Sequence, residues 1–150
     1  EMTDWERGRF QEALVRSLAV TAARPVAAPR LILEFRKPKV PGLSRWAIGN
    51  SLEIVAHDSV FDDLVALAED RSYGTDRQMV VMGLGRIKDP RAVDVLIGLL
   101  NDDDVAGHAV VALGKLKAPQ SRSALEPFLE HPRPWVRKEA KKALAKIKDR

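Results

Sequence analysis

One phrase is written more than once in this chain, and nothing else constrains its fold as tightly. Val80 to Pro90 reads VVMGLGRIKDP and Val110 to Pro119 reads VVALGKLKAP. The last apolar residue of each phrase serves as an anchor. Ile87, Leu116 and Ile147 (the close of LAKI) are separated by 29 and 31 residues. GNSL, ending at Leu52, lies 35 residues before Ile87, and a fainter VRSL, ending at Leu18, lies 34 before that. A period of about 30–35 residues marks units of supersecondary structure that cannot bury an apolar face alone and stack to do so.

Each unit reads as two helices. In the third, Asp89 and Pro90 supply an N-cap acceptor and a first-turn proline. RAVDVLIGLL then places Val93, Leu96, Ile97 and Leu100 at helical spacing. NDDD at 101–104 breaks that helix as a solvated loop, and VAGHAVVALGKL forms the second. The fourth unit repeats this as SRSALEPFLE, HPRP and WVRKEAKKALAKI, with Pro127 expected to kink the first helix and Pro134 to open the second. The second unit gives FDDLVALAED and TDRQMVVMGLGRI, with Thr75 as the expected cap; the first gives APRLILEFRK and LSRWAIGNSLEIV. No segment alternates with period two, so no strand is expected and the chain is all-α.

The stretch GLGRIKDPRAVDVLIGLLNDDDVAGHAVVALGKLKAP resembles HEAT-like repeats of the short, bacterial, bilin-lyase type. The likeness extends over Arg45 to Gly74 and Trp135 to Ile147 and fades over Glu1 to Lys39. It implies a right-handed α-α superhelix of four to five stacked helical hairpins. One domain would span 1–150, with units at 5–22 (partial), 23–56, 57–88, 89–117 and 118–150. It also implies a non-enzymatic, protein-binding scaffold, since repeats of this kind mostly build surfaces. A lyase-like role is implied only by the family's name.

The net charge of +4 invites a nucleic-acid reading, but its distribution argues against one. Residues 131–150 carry eight Lys/Arg and two acids, whereas 58–104 hold eleven acids against five bases. A phosphate-tracking surface spreads its cations along one face. The basic end reads instead as a polar cap on the terminal repeat. Arg9, Arg16, Arg45, Arg77 and Lys138 remain the cations open to a nucleic-acid partner, the second reading. Without cysteine, disulfides, thiol catalysis and thiolate metal sites are excluded. No apolar run reaches the ~20 residues of a membrane span, and the polar opening EMTDWERGRF is unlike a signal peptide. A cytoplasmic location is expected. No motif points to a catalytic residue, a metal or a cofactor, and none is expected.

In such a stack the second helices line the concave side. Counted back from the anchors, positions 0, −3, −4 and −7 share one face and pack on the first helix. Positions −2, −5 and −9 lie opposite, with −6 on the flank. This row predicts a groove with polar ends and with Gly85 and Gly114 in its floor, although the preferred role of these two glycines is to let neighbouring helices pack closely. Its candidate partner-binding residues are Arg45, Trp46, Asn50, Gln78, Met82, His108 and Lys138. A helix or extended peptide is the expected guest. Trp46 is the candidate anchor, because tryptophan is enriched where binding energy concentrates; the alternative is that it fills the gap between the first two units. Trp135 is expected to pack on its own preceding turn, and His108 to be a structural residue of an apolar helix.

Overall fold

A computed structural model describes residues 1–147. Among them are nine α-helices and no strand: α1 Asp4–Ser17, α2 Arg24–Arg36, α3 Arg45–Val55, α4 Phe61–Glu69, α5 Gln78–Leu84, α6 Arg91–Leu99, α7 Ala106–Leu116, α8 Arg122–Leu125 and α9 Pro134–Lys146. They pair as α2/α3, α4/α5, α6/α7 and α8/α9, following the four complete units, and α1 packs on α3. The chain is an all-α helical-repeat solenoid.

Local chemistry sets several of the helix ends. Thr3 and Glu6 close a reciprocal capping box at the start of α1. Ser44 caps α3 through the Ala47 N–H. The Asp89 carboxylate accepts the Arg91 N–H at 2.9 Å and opens α6. Pro134 begins α9. At Pro127 the fourth unit's first helix changes character, α8 giving way to a 3-10 segment over Glu126–Glu130; a proline cannot donate the hydrogen bond that continues an α-helix. Two expectations need correction. α2 begins at Arg24, before the segment predicted, and carries Pro29 inside it. Thr75 does not cap α5: it lies in a 3-10 segment, Arg71–Arg77, whose cap is Asp70 accepting the Ser72 N–H at 3.0 Å.

Consecutive second helices (α3, α5, α7, α9) pack along their lengths, while consecutive first helices touch sparsely. The stack therefore bends toward its second helices. Small residues make the tight side possible, because helix axes can only approach where no side chain stands between them. A Cβ added at Gly85 would lie 2.8 Å from the Ala112 Cα, and one at Gly114 would lie 2.8 Å from the Ala143 Cβ. In both steps position −2 of one helix meets position −4 of the next. Between α3 and α5 the small residue is on the other side: a Cβ at Gly83, at −4, would lie 3.4 Å from the Glu53 Cα. By the same rule Glu53 occupies −2, so α3 closes on Val55 rather than Leu52. The step to Ile87 is then 32 residues, close to the other two.

An arginine recurs ten positions before the anchor in three of the four units. Arg77 is fully buried; it donates to the Ala68 carbonyl (2.8 Å), the Gly74 carbonyl (2.9 Å) and the Asp102 carboxylate (2.8 Å). Arg45 donates to the carbonyls of Phe35 (2.9 Å) and Lys37 (2.7 Å), with Asp76 at 3.7 Å and the Tyr73 ring beneath its guanidinium. Arg137 donates to the carbonyls of His131 (2.8 Å) and Pro132 (3.1 Å). Each guanidinium satisfies carbonyls left open where its own unit's first helix ends. Arg45 and Arg77 also reach an acid of the next unit.

At the other end, α1 is held by backbone contact. Gly8 lies against the Pro41 carbonyl, and Gly42, at φ +80°, lies against the Trp5 carbonyl. No side chain fits either place, and φ > 0 suits glycine alone without strain.

Candidate functional site

The second helices present one face to the first helices and two flanks to each other. What remains is the inner face of the bend. On it lie Trp46 and Asn50 of α3, Met79 and Met82 of α5 with Arg86 in the turn just past it, His108, Val111 and Lys115 of α7, and Trp135, Lys138, Glu139, Lys142 and Lys146 of α9; all are exposed or half-exposed. Counted from the structural anchors, this face follows −1, −5 and −8, with −9 and −12 at its edge.

The expected row of −2, −5 and −9 was therefore one helix step out of rotation. Position −5 is right: Asn50, Met82, Val111 and Lys142 share it. Position −2 is not an accessible floor, because Gly85 and Gly114 are buried against Ala112 and Ala143. Small residues at −2 satisfy the stack rather than a guest. Leu43, counted at −9 from Leu52, is buried in the core.

The candidate residues divide accordingly. Trp46 is 42% exposed and available to a partner. Met82 and Asn50 are half-buried on the inner face, and Lys138 is exposed at its edge. Gln78 is half-buried and bridges to the next unit, its side-chain amide donating to the Asp104 carbonyl at 3.0 Å. Arg45 is largely withdrawn, its side chain 14% exposed and its donors taken by carbonyls. Among the cations open to nucleic acid, Arg77 is buried, Arg16 pairs with Glu12 at 2.9 Å, and Arg9 stacks over the Trp5 ring. The acidic loop is also corrected. Asp102 is not solvated but buried beside Arg77, and its other oxygen accepts the Asp104 N–H.

His108 and Trp135 meet across the α7–α9 step, ring centroids 5.5 Å apart and edge to face. Beyond the preceding turn on which it was expected to pack, Trp135 reaches α7. Its ring covers Gly107, where any side chain would collide with it, and it remains 42% exposed. Burial lowers the His108 pKa below the ordinary imidazole value, so the ring is neutral at physiological pH.

Charge on this face is organised around Glu53. Its Oε1 accepts from Arg86 Nε at 2.7 Å and from Lys115 Nζ at 3.0 Å, the latter reaching across two units. Burial alone would raise the Glu53 pKa; hydrogen bonds and charge from Arg86 and Lys115 outweigh it and hold the carboxyl low. One carboxylate thus serves two cations. Lys142 pairs with Glu139 at 2.8 Å. Arg86, Lys115 and Lys146 all stand at −1. The sequence reading missed this alignment, although the spacing of the anchors contains it.

A second accessible feature also escaped prediction. α1 exposes Trp5, Phe10, Leu14 and Leu18. Beside them an apolar groove of about 180 Å³ is lined by Leu14, Val15, Leu18, Arg30, Leu31 and Glu34. Among the described residues no cluster of three or more His, Asp or Glu side chains could hold a metal ion, and no helix is long and apolar enough to cross a membrane.

A family model described as HEAT repeats matches residues 29–107 and 101–150. α1 falls outside it. No curated protein matches the chain.

Proposed function

Because the chain belongs to the HEAT-repeat family, we propose that it is a non-enzymatic protein-binding module that receives a partner on the inner face of its second helices. The observation that carries this reading is the half-exposed apolar row of Trp46, Met79, Met82, Val111 and Trp135, which crosses all four units on the side of the second helices turned away from the first. Methionine suits such a surface, since its flexible thioether adapts to irregular partners. The exposed tryptophans give the row the aromatic anchors on which binding energy concentrates. A nucleic-acid partner, through Arg9, Arg16, Arg45, Arg77, Lys138 and the basic C-terminal helix, is the weaker reading: Arg9, Arg16, Arg45 and Arg77 are engaged within the chain, which leaves its cations at one end of the stack rather than along one face. A lyase-like role rests on resemblance and has no residue to carry it.

The test is affinity capture from nuclease-treated lysate with the tagged protein, beside the Trp46→Ala/Met82→Ala variant. A defined protein retained by the parent and lost by the variant, with both melting at the same temperature, is the expected result. Material that disappears on nuclease treatment, or binds both proteins equally, overturns the reading.

A further inference from the structure

α1 stands in the stack as a second helix. Its Glu12, at −6 from Leu18, accepts the Ser44 N–H at 3.0 Å, and Ser44 lies at −11 of α3. One step on, Gly49 at −6 of α3 lies against the Asp76 carbonyl, at −11 of α5. The register is the same, so positions 0, −3, −4 and −7 of α1 are Leu18, Val15, Leu14 and Gln11. In α3 those positions are Val55, Leu52, Ser51 and Ile48, all buried where α2 packs. In α5 they are Ile87, Leu84, Gly83 and Val80, all buried where α4 packs. On α1, Leu14 is 50% and Leu18 38% exposed, and the four residues form one wall of the 180 Å³ apolar groove. The other wall is α2, with Arg30, Leu31 and Glu34. The groove is thus the place that a first helix fills in the units that follow.

Charge on the α2 wall narrows what fits. Ala27, Ala28, Leu31 and Phe35 of α2 correspond, at one constant offset, to Val60, Phe61, Leu64 and Ala68 of α4, and all eight are buried. By that alignment Arg30 stands where Asp63 stands. Asp63 pairs at 2.8 Å with Arg36, in the last turn of the preceding first helix. Glu34 is taken by Lys37, whereas Arg30 has no ionic partner among the described residues. We propose that an amphipathic helix of a partner protein docks in this groove and supplies α1 with a first helix. The helix carries apolar residues at i, i+3 or i+4 and i+7. An acid in its last turn meets Arg30, which is the α2–α4 pair with its charges exchanged. A second copy of the chain fits less well. The helix it would offer is α1, whose last turn carries Arg16 and no acid. This site goes beyond the inner face, lying on another side of the stack and taking another kind of guest.

The experiment pans a display library of amphipathic helices of about 15 residues, a length at which helices begin to hold in water. Their polar positions are randomised. The targets are the parent protein, Arg30→Glu, Leu14→Glu and Trp46→Ala/Met82→Ala, each checked by its melt. Recovered helices are titrated by fluorescence anisotropy, and sedimentation velocity reads the state of the parent and of Leu14→Glu. On the parent, a monomer, acids should be enriched in the last turn. Arg30→Glu should weaken those helices about fivefold, as reversing one exposed charge would, and should itself select Lys or Arg at that place. Leu14→Glu should lose binding, and the Trp46→Ala/Met82→Ala variant should bind as the parent does. No enriched helix, enrichment indifferent to Leu14→Glu, or acids indifferent to Arg30→Glu overturns the proposal. So does a dimer of the parent that Leu14→Glu dissolves, since a second copy then fills the groove. None of these outcomes bears on the inner face, whose reading stands or falls with Trp46 and Met82.

Discussion

Arg77 is a charge with no access to water, and that makes it the most consequential single side chain of the stack. Its three donors all end on oxygen, two carbonyls and Asp102, so its burial is satisfied bond by bond. Removing one partner of a buried pair costs far more than the pair contributes, because the other charge stays behind. Arg77→Ala is expected to lower stability by about 3–5 kcal/mol in urea unfolding. Arg45→Ala should cost clearly less, since Asp76 retains solvent and Lys39 as a second partner. The pH dependence carries a sign. Burial pushes the Asp102 carboxyl up, but the Arg77 hydrogen bond, the Asp104 N–H and nearby positive charge pull it below its ordinary value on balance. Its stabilisation is therefore present above the ordinary carboxylate pKa and is lost as pH falls through the lowered one. In Arg77→Ala that acid-side loss should shrink, and an unchanged acid limb would contradict the assignment.

At the scale of the helix, glycine does two different jobs. Gly85 lies buried where a Cβ would press on the Ala112 backbone, which cannot yield as a flexible side chain can. Gly98, near the end of α6, has nothing within 4 Å of the place a methyl group would take. Two substitutions of the same residue type should thus move in opposite directions. Gly85→Val is expected to destabilise by about 1–3 kcal/mol through overpacking. Gly98→Ala is expected to stabilise by about 0.4–1 kcal/mol by narrowing the unfolded ensemble. Thermal melts of both variants read the two signs, and agreement in sign would refute the packing argument.

For the whole molecule the consequence is near-neighbour coupling. Successive second helices touch in turn, so the continuous core that runs from Val15 to Ile147 is built up along the stack by local steps. A defect at one step should open one end. Gly114→Val strikes the α7–α9 contact, where an added Cβ alone would lie 2.8 Å from the Ala143 Cβ. In hydrogen exchange the variant should lose protection over α8 and α9, while α3 and α5 keep theirs. Uniform loss along the chain would mean that the units fold as a single block. The same architecture explains the inner face. Stacking repeats a position at each helix step, so one basic position becomes a ridge and one apolar position becomes a row.

The repeat was legible in the sequence because it is periodic, and periodicity survives without coordinates. The paired helices followed from apolar spacing, and their ends from Asp89, Pro127 and Pro134, since such signals act within a turn of themselves. The rotation of each helix about its axis was not legible to the same degree. A 3.6-residue period tells which residues are apolar together, but neighbouring helices also consume a face, and glycine and alanine hide that face from any hydrophobic pattern. So Gly85 and Gly114 could be read as a groove floor or, preferably, as close helix contacts, and only the packed structure makes them the seam. Arg45 and Arg77 looked like surface charge for the same reason: a charged residue is recognised as buried only when its partners are known, and those partners are carbonyls and acids brought near by the stack. The repeating units and their paired helices thus follow from the order of residues alone. Which face of each second helix is left for a partner is settled by packing, because that face is whatever the neighbouring helices do not cover.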